Sequence, residues 1–356
     1  MQAFDEGYYD LHGSSQQFDH QPVVLLSTER SGSNLLRSIL NTHSDIAAPH
    51  PLEIGFPWRN IAPLGSLSPT DRRRLVRDSL LNKQYSSQPV VEPLGVDDVH
   101  RRVENANDKS FLTMQEALYT EYADLTDATH WVTKDPSVWG YFDELRDYYD
   151  RPKVVYLVRD ARDVALSFKH SNIGLSHPYF SAKRWQDEQS DGRSLLDEMG
   201  DDIAVVRYQD LLEEPETEIE RLCSFLDLAY QQEMLYFYET EGAQEAAEQT
   251  QLFENLSIPI KSDNYGKFHD GLSTAETQIV EAIAGEELEA FDFDLVTDPD
   301  ERAKLRFDEA TLERADRKRR RRQNLSYWRD RPMEQLRRTA SASFSRYMVL
   351  RYGLFA

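Results

Sequence analysis

The segment Ser27-Thr-Glu-Arg30-Ser31-Gly32-Ser33-Asn34 lies between an apolar run, Val23–Leu26, and a helical pattern that begins at Leu35. A strand, a small polar loop and a helix start make an anion site, because unpaired backbone N–H groups converge there and the helix dipole adds partial positive charge. Gly32 lets the backbone approach an anion closely, and Arg30 supplies a full charge with several donors. The nucleotide-binding pattern G-x-x-x-x-G-K-[ST] is not met: Ser27 stands at its first glycine, and Ser33-Asn34 stand where Lys and Ser/Thr belong. That weakens a P-loop kinase or ATPase reading, which needs the lysine and the Mg²⁺-binding hydroxyl. An ordinary strand-to-helix turn with a capping serine is the plain alternative for this segment taken alone.

Three further segments bear on the choice. Val154-Val-Tyr-Leu-Val-Arg159 reads as a strand ending in an arginine, with Ser167 eight residues later on the following helix. Thr133-Lys134-Asp135-Pro136 follows another short apolar run, and Val206-Arg-Tyr208-Gln-Asp-Leu-Leu212 follows a third. The set resembles the sulfotransferase family, whose members use 3′-phosphoadenosine 5′-phosphosulfate (PAPS). Arg30-Ser-Gly-Ser-Asn34 is similar to that family's 5′-phosphosulfate loop, and Arg159 with Ser167 to its 3′-phosphate element. Lys134-Asp135-Pro136 is similar to the Lys-Asp-Pro of tyrosylprotein sulfotransferases and their bacterial relatives. Arg207-Tyr208-Gln-Asp-Leu211 resembles the family's Arg-Tyr-Glu-Asp-Leu, with Gln209 replacing Glu. The likeness runs from about Pro22 to Phe293.

The resemblance implies a P-loop-NTPase-like sulfotransferase fold and two anion sites a fixed distance apart. Arg30, Ser31, Gly32, Ser33 and Asn34 would hold the phosphosulfate, Arg159 and Ser167 the 3′-phosphate, and Tyr208 is a further cofactor-binding candidate. The late segment Lys261-Ser-Asp-Asn-Tyr-Gly-Lys267-Phe268-His269 resembles the family's basic closing loop, often Lys-Trp-Arg, so Lys261 and Lys267 are further phosphate contacts. The implied reaction is an in-line displacement at sulfur. A cation beside the leaving phosphate is then bound more tightly in the transition state than in the ground state; Arg30 and Lys134 are the candidates. An ion pair with Asp160 or Asp163 is the plain alternative for Arg159, and one with Asp135 for Lys134. The acceptor hydroxyl must lose a proton to a base. Glu53 and His50, in the loop Ala47-Ala-Pro-His50-Pro-Leu-Glu53, both qualify. Glu53 matches the family's usual carboxylate, while His50 titrates near neutral pH without any shift. No metal is implied. A non-catalytic nucleotide-binding protein remains open as a third reading.

These residues need a frame. Val23–Leu26, Trp131–Thr133, Val154–Val158 and Ile203–Val206 read as short buried strands. Helical patterns fall between them, near 34–41, 70–81, 111–125, 138–148, 162–170 and 182–199. Strand alternating with helix argues for an α/β fold, a doubly wound parallel sheet with helices on both faces. A helix over 216–226 and a helical region to about Glu248 follow, then an ordered loop over Phe253–Leu272. Ser273-Thr-Ala-Glu276 has capping-box spacing for the next helix. The reading divides the chain into a polar segment, 1–21, a catalytic domain, 22–299, and a basic, helical extension, 300–356.

Charge sharpens that division. The 356 residues carry 41 Lys+Arg against 63 Asp+Glu, a net charge of -22, which disfavours general nucleic-acid binding. From Arg302 onward the net charge is +10, leaving -32 for the rest. So acidic a body favours a neutral hydroxyl on a carbohydrate, lipid or small metabolite over a polyanionic acceptor. The extension, with Arg317-Lys-Arg-Arg-Arg-Arg322 followed by interleaved aromatic and aliphatic residues, either folds back on the body or contacts an anionic membrane surface. On the membrane reading, a chain lacking 317–356 keeps nucleotide binding. The lone Cys223 forms no internal disulfide and sits in an apolar helical pattern, which suits a core thiol. With no signal-peptide pattern at the N-terminus, the expected location is the cytosol, and a peripheral place at the inner face of the membrane fits the basic extension.

Overall fold

A computed structural model describes residues 17–353, apart from 53, 56–57, 59, 62–63, 85–93, 150, 172–173 and 250. The chain runs β1 (Gln21–Ser27), α1 (Ser33–Leu40), β2 (Ile46–Ala47), α2 (Pro69–Gln84), α3 (Val96–Asn105), α4 (Phe111–Leu125), β3 (His130–Thr133) and α5 (Phe142–Tyr148). It continues β4 (Lys153–Val158), α6 (Ala161–His170), α7 (Pro178–Met199), β5 (Ile203–Arg207), α8 (Tyr208–Glu213), α9 (Pro215–Phe225) and α10 (Glu241–Gln249). Then come α11 (Phe268–Gly271), α12 (Thr274–Ala290), α13 (Pro299–Lys304), α14 (Glu309–Asp330) and α15 (Pro332–Gly353).

The five strands form one sheet in the order β2-β3-β1-β4-β5. β2 pairs parallel with β3, and β4 with β5 in the register Val154↔Ile203 to Val158↔Arg207. The expected parallel sheet flanked by helices is therefore present. β1, β4 and β5 are short apolar runs because both of their faces are covered, as parallel strands require; Val23–Leu26 and Val154–Val158 are at most 1 % exposed. Among the elements that escaped the sequence patterns are β2 and α3. β2 is only two residues long, below any periodic signal. α3 shows a two-residue apolar stripe, Val99 and Val103.

The described residues separate into two compact units: one within 1–23, 44–152 and 338–356, the other within 24–43 and 153–337. In the first, buried Glu116 of α4 accepts from the Gln17 and Phe18 N–H groups and from the Tyr148 hydroxyl. The end of α15 packs there too, with Met348 and Tyr352 buried and the Tyr352 hydroxyl donating to Asp78 of α2 at 2.7 Å. In the second unit, α12 carries the expected capping box, with both Ser273 and Glu276 engaged. Cys223 is buried against Met234, and burial pushes its thiol up to about 11, as suits an inert core thiol. The stretch expected as one loop over 253–272 begins in a helical turn, Gln251–Ser257, and ends in α11. Among the described residues, no helix is long and apolar enough to cross a membrane.

Candidate active site

The second unit gathers most of the expected anion-binding residues beyond the carboxyl ends of β1, β4 and β5. That edge is where open parallel sheets bind ligands. After β1 the chain turns sharply: Arg30 has φ 75° and Gly32 φ 95°, both left-handed. A non-glycine residue held there stores strain, as functional loops often do. The Leu35 and Leu36 N–H groups then bond back to Gly32 O, which starts α1. Gly32 is required for a second reason. A Cβ at this position would stand 2.2 Å from the Tyr208 ring, which α8 places directly against the loop.

Arg159, following β4, is the hub. Its guanidinium stacks over the Tyr208 ring at 4.5 Å and donates to Arg30 O (3.3 Å) and Asn264 O (3.2 Å). It also lies 3.7 Å from Asp163, so the ion pair weighed from sequence coexists with the place beside the loop. Asp160 is otherwise occupied, capping α6 and pairing with Arg162 at 2.6 Å. Ser167 on α6 accepts from Arg30 Nε at 3.0 Å, so residues expected at opposite ends of the nucleotide are hydrogen-bonded to each other. Burial pulls the Arg30 guanidinium below its ordinary value. Glu29 acts upward on it, Arg159 downward, and Tyr327 of α14 upward.

The late loop closes onto this cluster through Asp163, which the sequence offers only as an ion-pair partner for Arg159. Asp163 accepts from the Gly266 N–H (2.8 Å) and the Phe268 N–H (3.0 Å), fixing the turn before α11. Burial raises its pKa while Arg159 lowers it. Asn264 donates to the Tyr208 hydroxyl at 2.8 Å and accepts from Lys267 Nζ at 2.6 Å. Lys267 thus joins the cluster. Lys261 does not; it remains exposed and reaches Asn255 at 3.4 Å. Phe268 is buried under the Arg162 guanidinium, 4.2 Å away, whereas His269 is exposed.

A supporting layer on α7 was also missed. Arg184 bridges Glu29 (2.5 Å) and Glu188 (2.7 Å), and Trp185 Nε1 donates to Arg159 O. Gln189 donates to Thr28 Oγ1 and accepts from Tyr156. The polar residues 184, 188 and 189 follow helical spacing on a buried face, and that was the available signal. Burial raises the Glu188 carboxyl and Arg184 lowers it.

The other candidates belong to the first unit. Lys134 is half-buried just beyond β3. Its neighbour Asp135 is buried and accepts from the Gly55 and Ser137 N–H groups and from the Ser137 and Tyr141 hydroxyls. His50 is buried after β2, and Glu53 lies outside the described residues. Among the described residues there is no group of three or more His, Cys, Asp or Glu placed to hold a metal ion.

Comparison with known proteins bears on this geometry. Residues 22–232 match the model of a family described as "Sulfotransferase family". A Caenorhabditis briggsae protein described as "Putative protein-tyrosine sulfotransferase" is 32% identical over 121 residues, which is 31% of this chain and 41% of that one. The match thus spans less than half of that relative's length. The sulfotransferase domain from the curacin biosynthetic pathway superposes with a TM-score of 0.56 at 18% identity, covering 79% of this chain and all of that domain. The sulfotransferase domain of the Synechococcus PCC 7002 olefin synthase gives 0.52 at 19%, covering 80% and 100%. At such identities these two likenesses concern the fold.

Proposed function

Since the chain belongs to the sulfotransferase family, we propose that it moves the sulfuryl group of PAPS to a hydroxyl of a carbohydrate, lipid or small-metabolite acceptor. One observation carries the reading: Arg30, Ser167, Arg159, Tyr208, Asn264 and Lys267 form a single polar cluster around a glycine-tight loop at the start of α1. Within it Ser31 Oγ and Arg159 Nε are buried donors with no partner among the described residues. Orphaned donors are costly unless an acceptor reaches them, and phosphate oxygens are such acceptors. Asn34 Oδ1 is orphaned in the same way, and rotating its amide would offer a donor there too. The donor set fits an anionic nucleotide.

In this reading the 30–34 loop and Arg30 hold the phosphosulfate, while Arg159, Ser167 and Lys267 hold the 3′-phosphate. The bond to sulfur breaks toward the nucleotide's 5′-phosphate, which leaves with added charge. Arg30 and Lys134 offset that charge. Glu53 or His50 takes the acceptor proton, Glu53 by the family's pattern. Arginine, lysine and backbone N–H groups supply the countercharge, so transfer needs no divalent ion. The net charge of -32 over residues 1–301 favours an uncharged acceptor.

Incubation with ³⁵S-labelled PAPS and a panel of hydroxyl acceptors, read by mass spectrometry, tests the reading directly. Labelled product formed in the presence of a chelator is the expected result. A protein that binds the bisphosphate but transfers nothing to any acceptor is a binding protein. Transfer from ATP that requires Mg²⁺ would make it a kinase.

A further inference from the structure

α14 has two faces of opposite character. Asp316, Arg320, Gln323 and Tyr327 recur at helical spacing, and this side is anchored. Asp316 is 2 % exposed and accepts from the Ser176 N–H (2.9 Å), the Ser176 hydroxyl (3.0 Å) and the His177 N–H (2.9 Å), with Arg320 paired to it. Gln323 donates to Lys169 O at 2.5 Å.

The opposite side carries Arg314, Arg317, Lys318, Arg321 and Arg322, which with Leu325 line one continuous surface depression. Arg317 has a weak partner in Glu313 at 3.5 Å, and Arg314 reaches Ala310 O and Thr311. The side chains of Lys318, Arg321 and Arg322 make no ion pair or hydrogen bond among the described residues. Like charges at i,i+3 and i,i+4 destabilise a helix. Here a chain with 63 acidic residues places no acid among the residues lining the depression. Apolar exposure continues the same face. Leu325 is 70 % and Trp328 43 % exposed, and Met333 and Leu336 follow at the start of α15, also exposed.

We propose that this outward face of α14 is a docking surface for an anionic lipid bilayer. The cations meet headgroup phosphates while Leu325 and Trp328 enter the interfacial layer, where indole and aliphatic groups are favoured. A nucleic-acid backbone would use the cations and leave exposed leucine and tryptophan unrewarded. The acidic body of a second copy would do the same. The anchored face keeps α14 folded in the absence of lipid, so the surface is preformed.

The test uses the full chain and vesicles containing about 30 % phosphatidylglycerol in phosphatidylcholine, with pure phosphatidylcholine as reference. The wild type should sediment with the anionic vesicles at low salt and not with the neutral ones. Reversing four charges, Arg317→Glu, Lys318→Glu, Arg321→Glu and Arg322→Glu, should weaken that binding about a hundredfold or more. Leu325→Ser with Trp328→Ser should weaken it about tenfold while leaving all the cations in place. The corresponding four-glutamine variant carries the charge test if the glutamate variant melts early. The proposal fails if the wild type ignores anionic vesicles, or if the charge variants bind them as well as it does. Tighter binding to duplex DNA at the same salt would also overturn it. So would self-association that the four-charge variant abolishes.

Discussion

Arg30 and Arg159 share one hydrogen-bonded cluster, yet their loss should be felt differently. Arg159 stacks on Tyr208 and touches Asn264 and the Arg30 carbonyl, so Arg159→Ala removes a charged donor from the expected 3′-phosphate end. A hydrogen bond to a charged group contributes about 1.5–3 kcal/mol, and titration calorimetry with the bisphosphate product should show affinity lowered about 10–100-fold. Discrimination against nucleotides lacking the 3′-phosphate should fall with it; unchanged affinity rejects the assignment. Arg30→Ala should lower turnover as well as affinity, because its guanidinium is assigned to the reacting end. For the base, Glu53→Gln should reduce turnover about 10²–10⁴-fold with little effect on nucleotide affinity. Near-normal turnover in that variant together with an inactive His50→Ala would transfer the role to His50.

The loop before α1 and the segment before α11 are fixed from opposite directions, one by backbone conformation and the other by a buried carboxylate. Gly32→Ala forces a side chain into a left-handed position, at about 1–2 kcal/mol, and into the Tyr208 ring. That ring has little room to retreat, being held at its hydroxyl by Asn264 and across its face by Arg159. The expected result is a lower melting temperature and weakened bisphosphate binding, with part of the stability recovered when Tyr208→Ala is added. Intact binding in Gly32→Ala would separate the loop from the nucleotide. Glu276 ties α12 to Lys169 of α6 and to Arg319 of α14. Burial alone would raise its pKa, but bonds from Lys169 and Ser273 hold it down at about 2. A depressed carboxyl adds stability above its unfolded value, near 4.5, and loses it as pH falls toward 2. Denaturation of Glu276→Gln across that window should lack this part of the wild-type slope; identical slopes would discount the pair.

The chain's charge asymmetry, +10 beyond residue 301 against -32 before it, suggests a detachable tail. The buried anchors say otherwise. Met348 and Tyr352 are 0 % and 1 % exposed, and burial of such side chains contributes about 1.5–3 kcal/mol each. Ser79, Asn82 and Asp78 of α2 all contact this last helix. Deleting 317–356 is therefore expected to destabilise the first unit, visible as a lost or strongly lowered thermal transition, rather than leave nucleotide binding untouched. A truncated protein with wild-type melting and affinity would restore the detachable reading.

Local order was legible in the residues themselves. Period and run length placed β1, β3, β4, β5 and most helices, because burying a repeated apolar face leaves a repeated pattern. The capping box at Ser273 and the core thiol at Cys223 were legible for the same kind of reason, since their physics is satisfied within a few residues of the chain. The four motif segments were legible as well, in order and spacing. Partnership across long separations was not. Nothing local distinguishes Lys267, which joins the cluster through Asn264, from Lys261, which turns to Asn255. Asp163 could be read from sequence as a partner for Arg159, but not as the clamp on a loop 103 residues away. Asp316 stands beside six consecutive basic residues, yet its burial is settled by Ser176, 140 residues earlier. Periodicity specifies which face of an element is buried. Which polar atom meets which depends on elements brought together from distant parts of the chain, and only tertiary packing decides that.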